Sequence, residues 1–235
     1  MLIYYIRHGD PVYDPDSLTE LGKRQAEAIG KRLAGVDIGK IYASSSNRAI
    51  QTATPLSEMS KKEITVLDWC NEGYVWGEFT VSDASGTRWL YQDEKTADIL
   101  NSDEIRKLGM EWYKHPLFKE TNCGKGLKRV AAAADEFLAE LGYEHDPKRH
   151  VYKAVKPNND RIAMFAHEGF SYVFLSYIMD IPYPMFTRFV YNHTGMTVIK
   201  FDGGEYVQPK ILQYSSDSHL YKENLPTRLN NGIII

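Results

Sequence analysis

The residues of this chain that can do chemistry follow short apolar runs. Arg7, His8 and Gly9 come directly after LIYYI, Glu72 lies just beyond ITVLDW, and His167 follows RIAMFA. Arg48 stands at the start of a helical pattern, just after the polar turn Ser44 to Asn47. A neutral imidazole attacks phosphorus in line and takes up a phosphoryl group, provided that the negative oxygens are neutralised. Arg7 and Arg48 have the forked donor geometry for that task, and His167, if protonated, adds a cation. A phosphate monoester carries about −1.5 to −2 charges near neutral pH, so such a clamp supplies most of the acceleration in phosphoryl transfer. The departing alkoxide needs a proton, which Glu72 in its acid form would supply, and the same carboxylate could then activate water. His8, Glu72 and His167 are thus the candidate catalytic residues, and Arg7, Arg48 and His167 the candidate phosphate ligands.

These groups cooperate only if the fold brings their strand ends to one edge. Leu2 to Ile6, Ile38 to Ala43 and Ile64 to Trp69 predict strands from their β-branched and aromatic content. Between the first two, Thr19 predicts an N-cap, Ala26, Ile29 and Leu33 recur at helical spacing, and Gly35 predicts the stop. A second helix is expected from Arg48 to Met59, kinked or shortened by Pro55. This alternation predicts a parallel α/β sheet, whose ligands bind beyond the carboxyl ends of the strands. RIAMFA reads as a central strand covered on both faces, followed by a helix over Phe170 to Met179. Thr197 to Phe201 and Lys210 to Tyr214 predict closing strands.

From residue 77 to residue 160 the pattern changes, which predicts an insertion over one end of the sheet within a single domain spanning 1–235. Asn101 with Glu104 predicts a capped helix to about Lys114, and Leu127, Val130, Ala134, Leu138 and Leu141 predict an amphipathic helix stopped by Gly142. Trp76, Trp89, Tyr91 and Trp112 read as the small core of this segment, with one or two lining a substrate pocket. Between Tyr143 and Asp160 a polar linker or hairpin is expected to return the chain to the core; His145 and His150 fall in this charged stretch and read as solvated, and His193 reads as a turn residue before a strand that could end near the site.

Composition narrows the classes. A net charge of −3 argues against a general nucleic-acid binder, which needs a basic face. Two cysteines without metal spacing predict neither a disulfide framework nor a metal site. The N-terminus lacks a secretory pattern, which makes the cytoplasm the expected compartment, and no apolar run approaches the length of a membrane span.

Taken together, IRHGD at 6–10, SLTELGKRQA at 17–26, IYASSSNRAIQTA at 41–53, NEG at 71–73 and AHEG at 166–169 resemble the histidine phosphatase superfamily. That group contains cofactor-dependent phosphoglycerate mutases and many broad phosphatases. The resemblance implies a three-layer α/β/α sandwich with a mostly parallel central sheet and a helical insertion as a lid. It implies His8 as the phosphorylated nucleophile, Arg7, Arg48 and His167 as its phosphate-binding companions, and Glu72 as proton donor, with no metal or cofactor. Glu168 is the rival donor, since a second branch uses an acid directly after its second histidine; the NEG motif favours Glu72. Many members have an Asn six residues after the nucleophile, where this chain has Asp14, and Pro11 in the same loop lacks an N–H. Both set the chain apart from the mutases. The expected function is hydrolysis of a small phosphorylated metabolite, with a phosphoglycerate mutase or a non-catalytic phospho-ligand module as alternatives. The expected partner is a small phosphate ester, neither nucleic acid nor membrane, and oligomeric state is left open.

Overall fold

The computed structural model describes residues 1–227 together with Leu229, Ile233 and Ile234. Its principal elements are β1 (Leu2–Arg7), α1 (Glu20–Ala34), β2 (Lys40–Ser44), α2 (Asn47–Ser60), β3 (Ile64–Leu67), α3 (Glu72–Glu78), α4 (Cys123–Glu140), β4 (Arg161–Ala166), α5 (Glu168–Ile178), β5 (Met196–Lys200) and β6 (Lys210–Ser216). The strands form one sheet in the order β6–β5–β1–β4–β2–β3. The four from β1 to β3 in that order run parallel, and β5 and β6 close the other edge antiparallel.

Apolar alternation serves both faces. Tyr4 and Ile6 of β1, with Ala163 and Phe165 of β4, pack against Ile29 and Leu33 of α1 and Ala53 and Leu56 of α2. Ile3, Tyr5, Ile162 and Met164 point the other way and meet Val130 and Leu138 of α4 and Phe170 and Phe174 of α5. Side chains alternate across a strand, so a strand covered on both sides must be apolar throughout, as RIAMFA is. The result is an α/β fold with helices on both faces of a mostly parallel sheet. Helix α2 runs through Pro55 to Ser60, and a Cβ on Gly30 would come within 2.9 Å of the Pro55 Cβ, so the glycine allows the two helices to cross closely.

Between β3 and β4 lie short helices and also strands, among them the hairpin Thr80–Asp83 with Gly86–Trp89. The cap expected at Asn101 belongs to Ser102, whose side chain accepts from Ile105 N at 3.3 Å. Asp93 already starts the helix Glu94–Leu100, so Asn101 becomes its C-terminal residue, with its amide donating to Ala97 O at 2.8 Å. The following helix ends at Leu108 rather than near Lys114, because Gly109 leaves helical geometry at φ 56°. Cys70 and Cys123 are separate buried thiols. Among the described residues, no helix is long and apolar enough to cross a membrane.

Of the polar linker or hairpin expected between Tyr143 and Asp160, the structure has the hairpin, Tyr143–Asp146 with Val151–Ala154, but His145 is not solvated there. The hairpin turns His145 inward, with a side chain only 1% exposed, stacked on Tyr152 at 4.5 Å. Asp135 and Asp180 each approach a ring nitrogen of His145 at 3.4 Å. His150 remains exposed, 3.3 Å from Asp180.

Burial opposes the charge of His145, but the hydrogen bonds to Asp135 and Asp180 outweigh it and raise the imidazole to about 9. An unfolded histidine titrates near 6.5, so this stabilisation is complete below about pH 6.5 and fades as pH rises through about 9. The expected loss is on the order of 2 kcal/mol, a fall in Tm of about 5 °C between pH 6.5 and 9.5. Thermal melts of His145→Gln should lack that drop; an unchanged pH slope in the variant would refute the assignment.

Candidate active site

Strand register assembles the site. Arg7 pairs with Ala166 across β1 and β4, so His8 and His167 leave the sheet side by side with ring centroids 5.2 Å apart. Phe165 pairs with Ala43, which brings Ser44 at the end of β2 to the same edge. The N-termini of α2 and α5 start there, adding the positive ends of helix dipoles.

The hydrogen bonds of His8 set its tautomer. Its Nδ1 lies 2.7 Å from the carbonyl oxygen of Gly9, which only accepts, so Nδ1 carries the proton. Nε2 is left with its lone pair, buried and without a hydrogen-bond partner. Burial, then the charges of Arg7 and Arg48, hold His8 well below the ordinary histidine range. It is therefore a neutral imidazole near pH 7, the form a nucleophile requires. A Cβ on Gly9 would lie 2.7 Å from Gly22 O, so only glycine lets this loop pass the start of α1.

His167 is neutral as well, but in the opposite tautomer to its neighbour. Arg48 Nη2 can only donate, and it lies 3.2 Å from His167 Nδ1, so Nδ1 accepts and Nε2 donates to Ser44 Oγ at 2.8 Å. Burial, followed by Arg48 and Arg7, depresses its basicity. His167, which would add a cation only if protonated, is a neutral hydrogen-bonding group here.

Each arginine is oriented by carboxylates. Arg7 Nη1 lies 3.1 Å from Glu168 Oε2 and donates to Tyr191 O. Glu168 Oε1 accepts from Tyr172 Oη and Tyr191 N, both at 2.9 Å, so Glu168 is held in place. Arg48 donates from Nη1 to Asp16 Oδ1 at 2.8 Å and from Nη2 to Glu72 Oε2 at 3.2 Å. Glu72 opens α3 and accepts from Gly169 N at 2.9 Å through Oε1.

A cavity of about 630 Å³ lies over this edge, with Arg7, Arg48, Glu72 and Glu168 at its polar end. Trp76, Trp89, Tyr91 and Tyr172 form much of the remaining wall, while Trp112 belongs to the core. His8 is buried behind that surface rather than lining it.

Nitrogens of His8 and His167 and a carboxylate oxygen of Glu72 lie within 4.8 Å of one another, a spacing that one metal ion could span. The two guanidinium groups beside them oppose a cation and suit an anion, since Arg48 Nη2 already occupies the approach between Glu72 and His167.

The expected residues Arg7, His8, Arg48, Glu72 and His167 all meet here. Asp14 is exposed on the hairpin Pro11–Tyr13 with Asp16–Leu18, and it is Asp16, absent from the sequence reading, that reaches Arg48. Asp16 also accepts from Asn47 N at 2.7 Å, capping α2. Its only sequence signal is an acidic position in the loop after the RHG tripeptide. His193 lies in a turn as expected, yet its ring sits 5.8 Å from His8 and its Nδ1 3.6 Å from Asp10 Oδ1. It arrives there because β5 runs antiparallel to β1, with Met196 opposite Ile6.

Residues 3–212 match the family model of the histidine phosphatase superfamily (branch 1). The chain belongs to this superfamily. No curated protein matches it in sequence. Among solved structures, a phosphoserine phosphatase from Entamoeba histolytica in complex with 3-phosphoglyceric acid aligns with TM-score 0.58 and 19% identity, over 93% of this chain and 98% of the other. A mycobacterial glucosyl-3-phosphoglycerate phosphatase in complex with inorganic phosphate aligns with TM-score 0.59 and 17% identity, over 93% and 98%. Bacillus stearothermophilus YhfR aligns with TM-score 0.59 and 20% identity, over 93% and 98%. At these identities the likeness is one of fold.

The tautomers are open to measurement in this histidine phosphatase superfamily member. Long-range ¹H–¹⁵N spectra should show His8 protonated at Nδ1 and His167 at Nε2, with neither ring titrating between pH 8 and 6. A titration midpoint near 6.5 for either ring would contradict the electrostatics above.

Proposed function

We propose that the chain is a phosphomonoester hydrolase that acts on a small phosphorylated metabolite through a phosphohistidine at His8. The observation that carries this is the His8 ring, neutral, locked through Nδ1 to Gly9 and left with a buried lone pair on Nε2. A buried polar atom without a partner costs stability, and a site that retains one fits a reactive role. Membership of the superfamily supports the reading, as do the phosphatases that share its fold.

The phosphate of the ester lies between Arg7 and Arg48, displacing Arg48 from Glu72 and taking the neutral donor hydrogen bonds at the edge. This opening exposes His8, which is buried behind the cavity surface that Arg7, Arg48 and Glu72 line. Nε2 then attacks phosphorus; the P–N bond forms as the P–O bond to the leaving group breaks, and Glu72 in its acid form gives that oxygen its proton. Water next attacks the phosphohistidine, passing a proton to the Glu72 carboxylate. The P–N bond breaks with its electron pair returning to Nε2, and orthophosphate departs. Glu168 is already tied to Arg7, Tyr172 and Tyr191, which favours Glu72 as the mobile acid.

His8→Ala should abolish hydrolysis of 4-nitrophenyl phosphate, and the wild type quenched during turnover should carry an acid-labile phosphoryl group on His8. Full activity in the alanine variant would sink the proposal.

The donor has its own signature. A good leaving group needs no proton, so Glu72→Gln should lower kcat on an alkyl phosphate by about 100-fold or more and on 4-nitrophenyl phosphate by under about tenfold. Glu168→Gln, which loosens Arg7, should slow both substrates alike. The reverse pattern would assign the acid to Glu168.

A further inference from the structure

We propose that the preferred substrate has an uncharged leaving group with a flat apolar face, in preference to phosphorylated carboxylic acids; this rests on the phosphatase reading above and names its substrate class. Two features of the cavity lead to it. The first is where the charges lie. Among the described residues lining the cavity, the cations are Arg7 and Arg48, both at the phosphate end and both already facing carboxylates. A second anionic group on the substrate would enter a space whose other charges are Glu72 and Glu168. It would lose its hydration and meet like charge, with no lysine or arginine of that wall to receive it.

The second feature is the aromatic wall. Trp76 and Trp89 meet edge to face, with centroids 4.9 Å apart and planes at 87°. Trp89 and Tyr91 lie nearly parallel at 15° and 6.1 Å, and Tyr91 stands perpendicular to Tyr172 at 5.4 Å. Trp76 lines this wall and is still 39% exposed, so part of its ring surface beyond the Trp89 contact is open. Rings arranged this way offer both faces and edges to a planar guest.

The wall is also tied to the reaction centre. A Cβ on Gly169 would come within 2.5 Å of Trp89 Cη2 and 3.1 Å of Glu72 Oε1, so the indole rests directly on the first turn of α5, whose Gly169 N–H holds the proposed acid. A leaving group bonded to a phosphate between the arginines therefore extends onto Trp89. Tyr13, whose ring covers the Arg48 guanidinium at 5.4 Å, adds a further aromatic surface on the opposite hairpin.

The test compares esters of similar intrinsic reactivity. Benzyl phosphate and 2-naphthylmethyl phosphate, like phosphoserine, place the phosphate on a CH₂–O arm. The expected kcat/KM for the two arylmethyl esters is about tenfold or more above that for phosphoserine and 3-phosphoglycerate. Trp89→Leu should lower that ratio about fivefold, mainly through KM, a readout that a loss of folded protein does not move. Equal or faster turnover of the carboxylate esters overturns the inference, and so does faster turnover of phosphocholine, which would make the wall a cation cage. Affinity for 2-naphthylmethylphosphonate against 2-carboxyethylphosphonate, followed by tryptophan fluorescence, separates this inference from the reading beneath it. If no ester is hydrolysed, the phosphatase reading fails; tighter naphthyl binding then still supports the proposed specificity, and equal or weaker binding overturns it.

Discussion

The structure is governed by the need to keep two guanidinium groups at a buried sheet edge beside two imidazoles. Removing a cation from water is costly unless it is paired and hydrogen-bonded, and leaving one unpaired is worse. Arg7 meets this demand through Glu168, and Arg48 through Asp16 and Glu72. The same two positive charges, together with burial, keep His8 and His167 neutral. One arrangement of charge thus prepares the anion site and leaves the histidine lone pair available.

The carboxylates are not equivalent, and their surroundings separate them. Glu168 accepts hydrogen bonds from a tyrosine hydroxyl and a backbone amide in addition to Arg7, so moving it would break several buried contacts at once. Asp16 joins the capping of α2 to the orientation of Arg48. Glu72 has the contact that a ligand phosphate can replace, since its partner Arg48 also lines the cavity. A division of labour among three acids follows from how tightly each is held.

The scaffold supplies rigidity where this balance needs it. Parallel strands end in register at one edge, so backbone hydrogen bonds rather than flexible loops set the spacing of His8 and His167. Glycines act where backbones or rings must approach closely: Gly9 passes Gly22, and Gly169 leaves room for Trp89 above Glu72. The hairpin carrying Trp89 therefore covers the site without crowding the carboxylate.

By itself, the sequence determined the main elements of the sheet and the residues that meet at its edge as the candidate site. Apolar runs marked β1 and β4 because a strand covered on both faces must be apolar at every position, and RHG, NEG and AHEG follow such runs locally. Sheet order then explains why Arg7, His8, Arg48, Glu72 and His167 converge. What only the tertiary structure decided are the pairings between side chains far apart in the chain. Glu72 meets Gly169 across 97 positions and Arg48 meets Asp16 across 32, and no periodicity reports such contacts. The same is true of His193, set beside His8 by an antiparallel strand, and of His145, which reads as solvated in its charged stretch but is turned inward between two aspartates. Hydrophobic pattern records which face is buried; which carboxylate meets which cation, and hence which histidine is neutral, depends on the packed arrangement of distant elements.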